Sequence, residues 1–330
     1  MLAFFIRRTL YSIPVLLVGS FLVFAMVSAT FDPTDDLRGP RGGNVDAAEI
    51  ERVIQAERER TGTDRPLVEQ YASWIGGAVR LDFGDSWETR DTVGSRLWRA
   101  FGNTLQLIGW GILISAVLSV AIGVYSAVRQ YTISDYLLTG LSYIGIAMPP
   151  FWFALLASQF MIFTLPNLLG TDKFLFISGL HSPGKSGIFN LDYLQHLVLP
   201  VATLTVQIIA SWSRFQRASM LEVLSSDYVR TARAKGVPRR QVLYRHALRN
   251  ALIPLVTVMA IDIGLLFGGL IITEQIFSIP GMGRLFIGSL LDGDNPVVAA
   301  YVLLTAVFIV IFNLIADFMY SVLDPRIRLS

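Results

Sequence analysis

Gly179-Leu180-His181-Ser182-Pro183-Gly184-Lys185-Ser186 spells G-x-x-x-x-G-K-[ST], the spacing with which backbone N–H groups and a lysine cradle nucleotide phosphates. That chemistry needs a buried strand before the loop and a helix after it. Here the octapeptide lies between two long apolar runs, with no α/β alternation around it and no apolar strand ending in Asp to hold magnesium. It reads as a loop. The three histidines, His181, His196 and His246, are too scattered for a metal centre, and neither H-E-x-x-H nor G-x-S-x-G occurs. His196 reads as a capping or packing residue. With no cysteine there is no disulfide, thiolate ligand or thiol nucleophile. No catalytic, nucleotide-binding or metal-binding residue is expected. The remaining candidates are carboxylates inside apolar runs, which must face a partner, a cavity or water. Asp262 lies near the middle of its run and is the pathway candidate; hydrogen bonding to neighbouring helices is its alternative role. Asp317 reads as a packing residue, Glu274 sits near the end of the same run as Asp262, and Trp152, Gln207 and Asn313 are weaker candidates.

The elements that position these residues follow from composition. Of 330 residues, 53% are hydrophobic and 16% charged, with mean hydropathy +0.55; a soluble domain carries about 25% charged residues. This excludes a disordered chain and a nucleic-acid binder built on bulk charge. Six windows are long enough to cross a bilayer, approximately Thr9–Phe31, Asn103–Val128, Tyr136–Leu165, Leu194–Trp212, Ala251–Phe277 and Val297–Leu323, a span needing about 20 apolar residues. Pro149-Pro150 is expected to kink the third. The first is too long for the h-region of a cleaved signal and is expected to stay as a helix. The chain is therefore an all-α polytopic membrane protein.

Basic residues set its orientation. Arg7 and Arg8 precede the first window, Arg129 follows the second, and Arg326 and Arg328 follow the sixth. Nine more lie between the fourth and fifth: Arg214, Arg217, Arg230, Arg233, Lys235, Arg239, Arg240, Arg245 and Arg249. The opposite short loops hold only Lys173, Lys185 and Arg284. Both termini are expected in the cytoplasm. Residues 1–31 form the first membrane helix, residues 32–100 an extracytoplasmic cap, and residues 101–330 a core with five more spans. The cap carries a polar helix over Ala47–Arg60 and an amphipathic one over Pro66–Val79, with Leu67, Tyr71, Trp74 and Ile75 on one face.

Residues 214–250 are basic yet patterned. Leu221, Leu224, Tyr228 and Ala232 recur at helical spacing, Gly236 offers a C-terminal cap, and Pro238 suits the first turn of a second helix continued by Val242, Leu243 and Leu248. A helix–glycine–helix hairpin with an apolar ridge and cationic flanks suits a groove on a partner. The alternative is a loop lying on anionic lipid, which explains the charge but not the hairpin.

These residues resemble a known family. Arg230-Thr231-Ala232-Arg233-Ala234-Lys235-Gly236, followed by Val237, Arg239 and Arg240 and then by His246-Ala247-Leu248-Arg249-Asn250-Ala251-Leu252-Ile253-Pro254, is similar to the EAA loop of ABC-importer permeases in the form typical of peptide and nickel permeases. Of the general E-A-A-x-x-x-G pattern only Ala232 and Gly236 match. His196-Leu197-Val198-Leu199-Pro200, Glu274-Gln275-Ile276-Phe277-Ser278-Ile279-Pro280-Gly281-Met282-Gly283-Arg284, and Asp317-Phe318-Met319-Tyr320 with Asp324-Pro325-Arg326-Ile327-Arg328 resemble further family motifs in the right order. Arg65-Pro66-Leu67, Gln70-Tyr71 and Gly84-Asp85-Ser86 resemble the outer segment of the B-type subunit. Gly102 departs, standing where a proline commonly precedes Asn103-Thr104-Leu105.

The resemblance implies the type I ABC importer permease fold in a bacterial inner membrane. It implies a homologous C-type permease, two cytoplasmic ATPase subunits or domains that bind ATP and magnesium, and an extracytoplasmic substrate-binding protein. The loop at 214–250 would couple to the ATPases, with Gly236 as hinge residue, and the substrate would be a peptide, with nickel or another small solute as the alternative. No cofactor is expected in this chain, no ATPase site of its own, and no nucleic-acid partner. A rival of another class, an ion-coupled secondary transporter or channel, calls for inverted repeats and charge relays within the spans; neither is evident.

Overall fold

The structure is a computed structural model that describes residues 2–34, 47–172 and 174–323. The tail motif from Asp324, the topogenic Arg326 and Arg328, Lys173, and residues 35–46 of the cap lie outside the described residues. Among the described residues the regular elements are helices, with one isolated bridge between Asp85 and Thr92. Six helices among the described residues are long and apolar enough to cross a membrane: Ile6–Thr30, Val93–Val128, Pro150–Leu169, Leu191–Leu224, Arg239–Leu266 and Asn295–Met319. The chain divides into two compact units, Met1–Asn103 with Pro280–Val310, and Thr104–Ile279 with Ile311–Ser330.

The first unit contains α1 (Leu2–Thr30), α2 (Ala47–Thr61), α3 (Leu67–Ala78), the start of α4 (Val93–Val128), α13 (Met282–Leu291) and most of α14 (Asn295–Leu323). The amphipathic face expected around Tyr71 and Trp74 is real, and it packs on α1. The Tyr71 ring meets Phe21 and Phe24 edge-on at centroid distances of 5.1 and 5.7 Å, and its hydroxyl lies 2.8 Å from Ser20 Oγ and 3.0 Å from the Leu17 carbonyl. Ala78, Phe83, Val93, Leu97, Met282, Val297 and Tyr301 form the core of this unit. Beside that core Asp294, fully buried, accepts from Ser86 Oγ at 2.5 Å, the Trp87 N–H at 3.0 Å and Arg96 at 3.0 Å.

The second unit holds the rest of α4, then α5 (Ile133–Ala147), α6 (Pro150–Ser158), a π-helical stretch Gln159–Thr164, α7 (Leu165–Leu169), α8 (Leu191–Leu224), α9 (Asp227–Ala234), α10 (Arg239–Gln241), a second π-helical stretch Val242–Leu248, α11 (Arg249–Gly269) and α12 (Ile271–Ile276). Four expected windows differ from the membrane-long helices by more than a few residues; the second begins at Val93, ahead of the expected Asn103. Pro149-Pro150 separates two helices instead of kinking one. A residue before proline is driven out of the α region; Met148 sits at φ −82°, ψ 119° and Pro149 at φ −60°, ψ 138°, and Pro150 starts α6. The Met148 carbonyl is satisfied by Gln207 Nε2 at 3.0 Å, so the break is built in. The fourth window, expected to stop at Trp212, continues to Leu224 and carries Arg214 and Arg217 on a helix. Asn190 caps its start, accepting the Tyr193 N–H at 2.8 Å. The fifth starts at Arg239, before the expected Ala251, and ends at Leu266, before the expected Phe277.

Candidate docking site

The segment between α8 and α11 is built by local chemistry. Ser225 ends α8, and Ser226 turns the chain with extended backbone (φ −70°, ψ 152°). Asp227 then stands in the first turn of α9, where a negative charge suits the helix dipole. At its other end Gly236 takes φ +78°, the left-handed cap conformation. The Gly236 N–H bonds to the Arg233 carbonyl at 3.0 Å and the Val237 N–H to the Ala232 carbonyl at 3.2 Å. Pro238 precedes α10 instead of lying in its first turn.

The apolar ridge is not available to a partner. Val229 is completely buried, and it clusters with Val124 and Ala127 of α4, Met220 of α8, and Val242, Ala247 and Ala251. Leu221, Leu224, Ala232, Val237 and Leu243 pack against the same cluster. The ridge therefore clamps α9 onto the ends of three membrane helices; of the expected ridge residues only Tyr228 is exposed. Its hydroxyl accepts from Asn250 Nδ2 at 3.1 Å, and the same nitrogen donates to the His246 carbonyl at 3.1 Å. What α9, its turn and α10 present outward is mostly cationic: Arg230, Thr231, Arg233, Lys235, Arg239 and Arg240 are exposed, with Ala234 and Gly236 between them. The Arg230–Asp227 pair at 3.6 Å is also exposed and adds little stability. Arg233 and Arg239 line a cavity of about 140 Å³ whose walls include Leu224 and Val242.

One cluster escaped the sequence reading. Arg217 Nε and Nη2 donate to the two oxygens of Asp135 at 3.0 and 2.9 Å, and Ser126 Oγ bonds the same carboxylate. Asp135 also accepts the Tyr131 N–H at 3.0 Å. Arg214 stacks 4.5 Å above the Tyr143 ring. The sequence marks both arginines only as topogenic charges. The spacing of Thr132 and Asp135, a helix-start capping pattern, could have drawn attention to the carboxylate: Asp135 N lies 3.4 Å from Thr132 Oγ1.

Asp262 in α11 and Glu274 in α12 both have donors. Trp212 Nε1, on a fully buried ring, donates to Asp262 Oδ2 at 2.6 Å. Thr104 Oγ1 donates to the fully buried Glu274 at 2.6 Å. The phosphate-loop look-alike wraps a carboxylate: Ser182 donates through N and Oγ to Asp192 at 3.0 and 2.6 Å, and Lys185 Nζ lies 3.2 Å from it. His196 is buried, stacked on Phe176, with Nδ1 2.8 Å from the Asp192 carbonyl. It is the packing residue expected.

A chain whose described elements are helical, with six membrane-long helices and a basic helix pinned across the ends of three, is a multi-pass membrane protein that carries an exposed cationic face. Residues 119–329 match the family described as binding-protein-dependent transport system inner membrane component, and the chain belongs to that family. It is 39% identical to the oligopeptide transport system permease protein AppB of Bacillus subtilis over 99% of this chain and 100% of that protein. It is 37% identical to the oligopeptide permease OppB of Mycobacterium tuberculosis over 98% of both, and 36% identical to the dipeptide permease DppB of Escherichia coli K12 over 99% of both.

Proposed function

We propose that the chain is one permease subunit of an ATP-driven peptide importer, forming half of the pathway beside a homologous permease. The observation that carries this reading is the docking face: a basic, glycine-bounded helix whose apolar side is sealed into the ends of α4, α8 and α11. A force applied to such a helix is transmitted directly to three spans. Residues 230–237 with Arg239 and Arg240 meet a cytoplasmic ATPase subunit, which binds ATP and magnesium; this chain holds no cofactor and no ATPase site of its own. Both termini are cytoplasmic, and residues 32–100 face outward toward a substrate-binding protein. The full-length likeness to permeases named for oligopeptides and dipeptides supports a peptide cargo. Asp262 contributes a pathway charge, oriented by Trp212.

The test is uptake into proteoliposomes containing both permeases, with ATPases and binding protein added. Peptide accumulation that requires ATP hydrolysis is expected. Uptake that survives a disabled ATPase and collapses with the proton gradient would instead establish an ion-coupled transporter.

A further inference from the structure

The first unit carries a groove of about 580 Å³ far in sequence from the docking loop. That volume lies within the ~300–1,000 Å³ of small-molecule sites. Arg96, Arg99 and Arg284 line it together with Glu88, Asp292 and Ser289. Arg96 is held by Asp294 at 3.0 Å and by Ser86 Oγ at 2.7 Å, and so forms a fixed wall. Arg99, Arg284, Glu88 and Asp292 are exposed. α13 begins at the groove with Gly281, whose extended backbone brings no side-chain cap; the positive end of this ten-residue helix adds to the guanidinium field. Ser289 is 1% exposed and its hydroxyl has no hydrogen-bond partner. Buried hydroxyls are normally paired, and this one, on the groove wall, has no partner within the fold.

We infer that this groove is a subsite for a short zwitterionic peptide, with Arg99 and Arg284 holding its terminal carboxylate and Glu88 and Asp292 its α-ammonium. The inference rests on the reading that the importer carries peptides. Guanidinium is the side chain best matched to a carboxylate, offering paired charge-assisted hydrogen bonds. The presence of both signs in one concave site separates this ligand from an acidic patch on a docking protein. Such a patch would use the arginines but set like charges against Glu88 and Asp292, and a flat face would leave Ser289 unpaired.

The complete importer, with ATPases and saturating binding protein, is tested for uptake of a dipeptide and of its C-terminal amide. The binding protein's own preference is common to every permease variant and cancels when their acid-to-amide ratios are compared. The Arg99→Ala/Arg284→Ala variant is expected to lower that ratio about tenfold, the effect of one lost charge-assisted contact. Arg284→Gln, which removes the charge but keeps a polar, hydrogen-bonding side chain, is expected to shift it in the same direction, so the result does not depend on the double variant assembling. An unchanged ratio with uptake preserved overturns the inference. So does loss of binding-protein docking to the nanodisc-embedded complex at an unchanged ratio, which would assign the groove to the partner protein. Absence of any ATP-dependent peptide uptake by the wild type is a separate failure; it overturns the importer reading, and the subsite falls with it.

Discussion

Arg217 grips Asp135 at two points, Nε to Oδ1 at 3.0 Å and Nη2 to Oδ2 at 2.9 Å, joining the basic end of α8 to the first turn of α5. The carboxylate side chain is 3% exposed and the guanidinium 26%. Together with Gly145, whose Cβ position lies 3.0 Å from Ala210 Cβ, the pair fixes α5 along α8 just before the chain turns into α9. Small residues of this kind let membrane helices approach closely.

Replacing Arg217 by Ala leaves a buried carboxylate without its cation, and breaking a buried pair in this way costs about 3–5 kcal/mol. Arg217→Lys is expected to recover only part, because an ammonium cannot reproduce the planar two-point contact. Adding Asp135→Asn to Arg217→Ala should restore stability toward wild type by removing the stranded charge. Thermal unfolding of the purified chain in detergent measures all three, and equal midpoints for wild type and Arg217→Ala would refute the assignment.

Gly236 and Gly123 are required for opposite reasons, and the contrast can be measured. A Cβ on Gly236 meets nothing within 4 Å, but its φ of +78° disfavours any other L residue, by roughly 1–2 kcal/mol. Gly236→Asp is expected to abolish ATP hydrolysis coupled to transport while leaving membrane insertion intact. Gly236→Asn, a residue more at ease in the left-handed region, should retain more coupling than Gly236→Val. Normal coupled hydrolysis in Gly236→Asp would remove the turn from the mechanism.

At Gly123 the backbone is ordinary helix, and the obstacle is space. An added Cβ would lie 2.7 Å from the Ser213 carbonyl oxygen and 2.6 Å from Gln216 Cβ. Both are close to the rigid part of α8, so the helices must separate, which costs about 1–3 kcal/mol. Gly123→Ala is therefore expected to lower the unfolding midpoint, whereas at Gly109, with nothing within 4 Å, the same change should be neutral or stabilising. Equal effects at the two positions would show that α4 and α8 do not pack as described.

The helical class and the positions of the windows were legible because apolar runs and charged gaps alternate sharply along the chain. So were the Gly236 cap, which glycine announces by chemistry, and the packing role of His196. The destination of the Leu221–Ala232 ridge was not, since periodicity shows that a face is apolar without showing what covers it; here the chain's own α4 and α11 cover it. The bounds of the fourth and fifth spans were misread for a related reason. Arginines such as Arg214, Arg217 and Arg239 mark membrane edges by charge, but charge does not end a helix, and α8 continues through two of them. The Arg217–Asp135 pair joins residues 82 positions apart, beyond the reach of any local pattern.

Asp32 gives the segment that follows α1 a definite acid response. Burial alone raises its pKa, but hydrogen bonds from Thr34 Oγ1 and N–H and from Arg58 outweigh burial and hold it at about 2, below the ordinary 3.8. A carboxyl depressed in the folded state stabilises it at pH above about 4, and the contribution fades as the pH falls toward 2. The unfolding midpoint of Asp32→Asn should lie below wild type at pH 6, and the gap should close as the pH is lowered to about 2. A gap that widens in acid would contradict the arrangement around Arg58.

Asp262 and Trp212 decide between packing and passage inside the membrane. The indole N–H donates at 2.6 Å to one carboxylate oxygen, and Asp262 is only partly buried. An asparagine keeps an oxygen for the indole and removes only the charge. Asp262→Asn is thus expected to unfold within about 0.5 kcal/mol of wild type, as replacements that leave packing intact do, while slowing ATP-driven peptide uptake. Trp212→Phe should do the reverse damage first, lowering stability by about 1 kcal/mol because a partly buried acceptor loses its donor. If Asp262→Asn left both stability and uptake at wild-type levels, the carboxylate would be a hydrogen-bond acceptor for α8 with no part in the path of the substrate.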